Sequence, residues 1–257
     1  MTHPESSHSI DAGADLLGDL VIANRVLASL GVLDAFGHVS VRSDRRADRY
    51  ILTRLLAPQQ VTIDDLIEYD LDSRPVHGEG PKPCLERFIH GEIYKARPDV
   101  MAVVHSHAPS VIPFAASSIA LKPLYHMGAF LGEGAPVFDI RKHFGPTDLL
   151  VRNPDHGRAL AATLKTATIA LMRGHGFAVV GASLPIAVCR AFYTELNARL
   201  QREAISLGGE VTYLDAAESD LADAVIRSVV QKPWDLWKQQ AMASMAGREF
   251  RRRSDLS

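Results

Sequence analysis

Cysteine is scarce in this 257-residue chain, which contains two, Cys84 and Cys189. A single widely spaced pair builds no disulfide framework and matches no zinc-finger spacing, so both are expected to be reduced thiols. Long apolar runs are also missing. None reaches the roughly 18 to 20 residues needed to span a bilayer, and the opening Met1-Thr2-His3-Pro4-Glu5 lacks the basic, then apolar, order of a secretory signal. These absences predict a cytoplasmic protein with no membrane partner. Strong net charge is the third absence. A formal charge of −2 offers no attraction to nucleic acid or to acidic membranes, which leaves a small molecule as the expected partner.

What is present is an ordinary globular composition, 47% apolar and 23% charged, long enough for one large domain with a substantial core. The expected organisation is a flexible leader over residues 1–10, a single domain over 11–247 and a solvated basic tail over 248–257, carrying Arg251, Arg252 and Arg253. Histidine is the unusual inventory. There are eleven, of which His3 and His8 fall in the leader.

Periodicity predicts an amphipathic helix from Asp11 to Leu30, ended by Gly31, then strands over His38 to Ser43 and Tyr50 to Arg54. A helical turn at Ile63 to Leu66, a strand over Ile67 to Leu71 and a loop marked by Gly78, Gly80, Pro81 and Pro83 lead to a helix from Glu86 to Arg97. Pro98 ends that helix just before a strand carrying His105. Pro109 suits the first turn of a short helix through Phe114, kinked by Pro113, and Asn153 or Asp155 caps a helix through Leu164. Thr168 to Met172 and Phe177 to Gly181 flank a tight turn, and a long helix from Leu184 ends at Gly208-Gly209. One or two further helices with a break at Pro233 complete the chain.

The chemistry concentrates in Val103-Val104-His105-Ser106-His107. Side chains alternate across a strand, so His105 and His107 project to one face, where two imidazoles can bind one cation. Glu86 and the His175 of Arg173-Gly174-His175-Gly176 can complete a site of three histidines and one carboxylate. Each part has a plainer reading: a strand can end in two histidines without a metal, His175 can be a loop residue, and Glu86 can simply favour a helix dipole. As a set they suit one divalent cation per chain, manganese or zinc foremost, with iron or cobalt as alternatives.

The ordered combination of Gly37-His38-Val39-Ser40, Glu86 with His90 four residues on, His105-Ser106-His107 and the Gly-His-Gly turn resembles the class II aldolase/adducin family, over roughly residues 15–210. The resemblance implies an α/β fold, a three-layer α/β/α sandwich around a central, mainly antiparallel sheet. It also implies a homotetramer with active sites near subunit interfaces. It gives His105, His107 and His175 the role of metal ligands, and makes Glu86 a catalytic acid/base that can also touch the metal.

Three loops depart from the sugar-phosphate aldolases of that family. Where those enzymes grip phosphate with small donors, this chain has Gly37-His38, Thr53-Arg54-Leu55-Leu56-Ala57-Pro58 and Cys84-Leu85. The substitutions, with Leu85-Glu86-Arg87-Phe88-Ile89-His90-Gly91-Glu92-Ile93-Tyr94, resemble a branch acting on aromatic or heteroaromatic carboxylic acids. That branch includes decarboxylases of hydroxypyridine dicarboxylates and phthalate-type acids, and similar sequences occur in iron-dependent oxygenases. The expected activity is therefore a metal-dependent carboxy-lyase, with a hydroxypyridine dicarboxylate of vitamin B6 breakdown as the most concrete substrate. A retro-aldolase for a non-phosphorylated substrate, a non-haem iron oxygenase and a non-catalytic adducin-like assembly module are the alternatives. Arg54 and Arg173 are candidate carboxylate clamps, since guanidinium offers paired donors, and His38 a candidate specificity residue and proton source. His90 is expected to make a structural hydrogen bond. His77, His143, His156, Tyr213, Trp234 and Trp237 are expected to pack or lie at the surface.

Overall fold

A computed structural model describes residues 10–77 and 81–254, with side chains as far as Ala246. The leader before Ile10, loop residues Gly78 and Gly80, and the side chains of Arg251 to Arg253 lie outside the described residues. Eight helices and seven strands follow in order: α1 (Ala14–Ser29), β1 (His38–Arg42), β2 (Arg49–Thr53), β3 (Leu66–Asp70), α2 (Arg87–Ala96), β4 (Ala102–Ser106), α3 (Ile112–Ala116), β5 (Val137–Phe138), α4 (Ile140–Phe144), α5 (Pro154–Leu164), β6 (Ile169–Met172), β7 (Gly176–Gly181), α6 (Leu184–Ser206), α7 (Ala216–Val229) and α8 (Gln231–Ser254).

The strands form one sheet in the order β3-β2-β1-β4-β7-β6-β5. Every pair is antiparallel except β5 with β6. Strand alternation divides the core into two. Val39, Val41, Val104, Leu171 and Val179 turn to one face, where α1 and α6 cover them and α8 packs on those two helices. Leu52, Val103, Ala170, Met172 and Val180 turn to the other, against α2 and α5. The result is the expected three-layer sandwich.

Several boundaries differ from the sequence reading. Pro109 precedes α3 rather than opening it, and Pro113 lies in its first turn, where a missing N–H costs no hydrogen bond. Pro233 likewise falls in the first turn of α8, and the break comes before it, at Val230. The α8 backbone continues helically to Ser254, into the segment expected to be a tail. β5 was not legible, being two residues long. Asn153 caps α5 by accepting the His156 backbone N–H. Among the described residues no helix is long and apolar enough to cross a membrane, and Cys84 and Cys189 are both buried free thiols.

Candidate metal centre

Pairing between β1 and β4 sets His38 directly opposite His105, with Ser40 opposite Val103. Because Val39 and Val41 face the other core, His38 and Ser40 join His105 on the α2 side of the sheet. Glu86 occupies the N-cap position of α2, with His90 and Tyr94 following at one-turn intervals. The site is thus the seam between a strand face read at period two and a helix face read at period four.

Glu86, His105, His107 and His175 converge there, with one ligand atom from each lying within 4.8 Å of all the others. The Nε2 atoms of His105 and His107 are 3.0 Å apart, and Glu86 Oε2 is 3.5 Å from Nε2 of both His105 and His175. β4 itself ends at Ser106, so His107 lies just past the strand rather than within it, and still turns back to His105. His175 reaches the cluster from the β6–β7 turn. Gly174 has a φ of 66° there, a conformation natural to glycine. Gly176 allows close approach, since a Cβ on it would lie 2.0 Å from the Ser106 carbonyl oxygen.

The outer partners orient the ligands. His105 Nδ1 is 3.0 Å from the Phe177 carbonyl; it must donate there, which leaves Nε2 unprotonated and directed at the cluster. His107 Nδ1 is 3.0 Å from Asp34 Oδ2, a carboxylate–imidazole pairing with the same effect. Glu86 Oε1 accepts the Val151 backbone N–H at 2.9 Å, so Oε2 is the oxygen left for the cluster. His175 Nδ1 is buried without a hydrogen bond, and its buried Nε2 has only the 3.5 Å approach of Glu86 Oε2. Convergent imidazole lone pairs, a carboxylate and an orphaned buried imidazole together fit a divalent cation.

Electrostatics agree. Burial works to raise the Glu86 carboxyl, but its contacts with His105 and His175 outweigh burial and hold it well below the usual carboxylate range. Burial pushes His105 down to about 4 and His90 down to about 3, and holds His38 well below the ordinary histidine value. At neutral pH His38, His90 and His105 are therefore neutral and Glu86 is ionised, and a neutral imidazole and an ionised carboxylate are the forms that ligate metals.

A cavity of about 470 Å³ opens beside the cluster, with His107, Glu86, His38 and Arg54 in its wall and Phe36, Leu55, Leu56 and Leu85 among its apolar lining. Arg54 is tethered by its Nε, which donates to Asp65 Oδ1 at 2.6 Å. Arg173 is not among the described residues lining that cavity; its Nε sits 2.7 Å from Asp139 Oδ1, the plain ion-pair alternative for that residue. His90 hydrogen-bonds His38 and Ser40 and stands outside the ligand cluster. Trp234 is buried in the core, Tyr213 meets Gln201, His143 stacks on Phe138 and His156 makes a tilted ring contact with Phe144.

Asp34 and Val151 escaped the sequence reading. Asp34 carried one signal, since Asp-Ala-Phe-Gly is a turn-forming run in which Asp34 Oδ1 accepts the N–H groups of Phe36 and Gly37. The Val151 N–H had none, because any residue but proline supplies one.

Comparison with known proteins agrees with the geometry. Residues 18–202 match the family model described as the Class II Aldolase and Adducin N-terminal domain. The chain is 39% identical over 232 residues to the decarboxylase tropJ of Talaromyces stipitatus, across 81% of this chain and 87% of that protein. It is 30% identical to a 3,4-dihydroxyphthalate decarboxylase of Arthrobacter keyseri, across 79% of this chain and 84% of that one. In fold it resembles the crystal structure of an aldolase II superfamily protein from Pseudomonas syringae, with a TM-score of 0.76 at 19% identity over 92% of this chain and 96% of the other.

Proposed function

The chain belongs to the class II aldolase and adducin family, and from that premise we propose that it is a metal-dependent decarboxylase of a hydroxylated aromatic or heteroaromatic carboxylic acid. One observation carries the reading. The four-residue ligand cluster opens on an apolar-walled cavity that also holds a tethered arginine, while the small donors suited to a phosphate are replaced by Leu55, Leu56 and Leu85. A flat ring fits such walls, and Arg54 suits its carboxylate, since the bond from Nε to Asp65 leaves the two terminal nitrogens for a ligand. The decarboxylase relatives support the reaction class.

His105, His107 and His175 would hold the cation beside Glu86, manganese or zinc foremost and iron or cobalt as alternatives. When bound, it would supply Lewis-acid stabilisation of negative charge on a substrate oxygen. The protein's own part centres on Glu86. Its ionised carboxylate takes the proton of a ring hydroxyl and returns it to the ring carbon bearing the substrate carboxylate. The carbon–carbon bond then breaks, carbon dioxide leaves, and the bonding electrons restore the aromatic ring; Glu86 is again ionised. The apolar walls keep competing water from that carbon.

Arg54 and His38 are proposed to bind substrate. Arg173 belongs to the proposal as a residue that would first have to leave Asp139. A homotetramer, and a hydroxypyridine dicarboxylate as substrate, are also carried forward as proposals; light scattering tests the first. A panel of hydroxylated aromatic dicarboxylates, including 3,4-dihydroxyphthalate and a hydroxypyridine dicarboxylate, tests the reaction. Carbon dioxide release from at least one is expected, and an aldehyde or pyruvate product instead would make the protein an aldolase.

A further inference from the structure

Behind the cavity wall a line of polar side chains runs through an otherwise apolar interface between sheet and helix. Tyr94 Oη is 2.8 Å from Ser40 Oγ, Ser40 Oγ is 2.6 Å from His90 Nδ1, and His90 Nε2 is 2.8 Å from His38 Nδ1. All four side chains are buried. His38 alone of the four reaches the cavity, and its Nδ1 is occupied, which leaves Nε2 as its remaining ring nitrogen.

Each junction holds one hydrogen, so the line has two polarities, toward the cavity or away from it. The hydroxyl at its far end decides between them. Tyr94 Oη has one hydrogen to donate, and Ser40 is its hydrogen-bond partner; the other groups facing it, the Val103 backbone N–H and the Arg42 guanidinium, are donors or cationic. Were Ser40 to donate to Tyr94, the phenol hydrogen would be buried without an acceptor, which folded proteins avoid. Tyr94 therefore donates to Ser40, Ser40 to His90 Nδ1, and His90 Nε2–H to His38 Nδ1. A neutral imidazole that accepts at Nδ1 carries its hydrogen on Nε2.

We propose that Ser40 and His90 are positioning residues that fix His38 as an Nε2–H donor at the cavity wall, so that it grips an anionic or carbonyl oxygen of the substrate. His38 is then neither a metal ligand nor a base, and as a neutral donor it is too weak an acid to supply the proton for carbon. That task falls to Glu86. The polarity of the line is independent of the reaction; only the identity of the gripped oxygen, a ring oxygen or carboxylate of an aromatic acid, rests on the decarboxylase reading.

Neutron diffraction from deuterium-exchanged, zinc-loaded crystals without substrate reads the hydrogens directly, whatever reaction the protein performs. Deuterium is expected on Nε2 of both His38 and His90, with Nδ1 of both bare. Tyr94→Phe should keep that pattern, because the buried Ser40 hydroxyl must still donate to His90. Ser40→Ala removes the last hydroxyl next to His90 and should split the His38 deuterium between its two nitrogens. Deuterium on His38 Nδ1 in the unmodified protein, zinc bound at His38 Nε2, or an unchanged pattern in Ser40→Ala would overturn the proposal.

Discussion

Replacing Asp34 by asparagine tests how this chain prepares its ligands. The Asp34 carboxylate has three partners: Oδ1 accepts the Phe36 and Gly37 N–H groups, each at 2.9 Å, and Oδ2 lies 3.0 Å from His107 Nδ1. Burial works to raise its pKa, but these contacts prevail and lower it, so it meets His107 as an acceptor. Asparagine has one acceptor oxygen. If that oxygen keeps the two backbone donors, the amide nitrogen turns to His107 and donates to Nδ1, which moves the ring hydrogen to Nε2 and blocks the lone pair that faces His105. Losing such an outer partner costs about 10- to 100-fold in metal affinity, roughly 1.4–2.7 kcal/mol. Zinc affinity measured by chelator competition should fall by that factor in Asp34→Asn, with the melting temperature of the metal-free protein nearly unchanged. Equal zinc affinity in the two proteins would refute the assignment of Asp34 as the group that orients His107.

Gly176→Ala should destabilise the fold and loosen metal binding together. The new Cβ would meet the Ser106 carbonyl oxygen at 2.0 Å and His107 Cα at 3.1 Å, so two strands must part, at roughly 1–3 kcal/mol or more; thermal melting and chelator competition measure the two effects. The metal-free protein should lose stability as pH falls from about 6.5 toward 4. In that window the unfolded chain protonates histidines that burial keeps neutral when folded, with His105 held at about 4 and His90 at about 3. The slope approaches 1.4 kcal/mol per pH unit for each such histidine. Urea unfolding at pH 7 and pH 5 checks it; equal stabilities would show that these rings are not held neutral.

The layered fold was legible because its signals are periodic. Val39 and Val41 alternate with His38 and Ser40 on β1, and Glu86, His90 and Tyr94 recur at helical spacing, so both sides of the seam could be read along the chain. His105 was legible by the same strand alternation, and His175 by its flanking glycines. What escaped depends on contacts between segments distant in sequence. The carbonyl of Phe177 and the N–H of Val151 orient His105 and Glu86, yet a backbone group has no sequence signature. Arg173 shows the converse limit, since its guanidinium suits a substrate carboxylate and the Asp139 carboxylate equally well, and only the fold places Asp139 2.7 Å away. The polarity of the Tyr94 to His38 line needed the fold as well. Ser40 and His90 are fifty residues apart in sequence, at 2.6 Å in space.

Gas stoichiometry reads out whether the cluster at Glu86, His105, His107 and His175 carries out decarboxylation. The metal-loaded protein, given a turned-over hydroxylated aromatic carboxylic acid without oxygen, should release one carbon dioxide per substrate and leave the ring one carboxylate shorter. Chelation of the metal should stop it. Turnover that requires and consumes oxygen, or that continues undiminished after the metal is removed, would contradict the account.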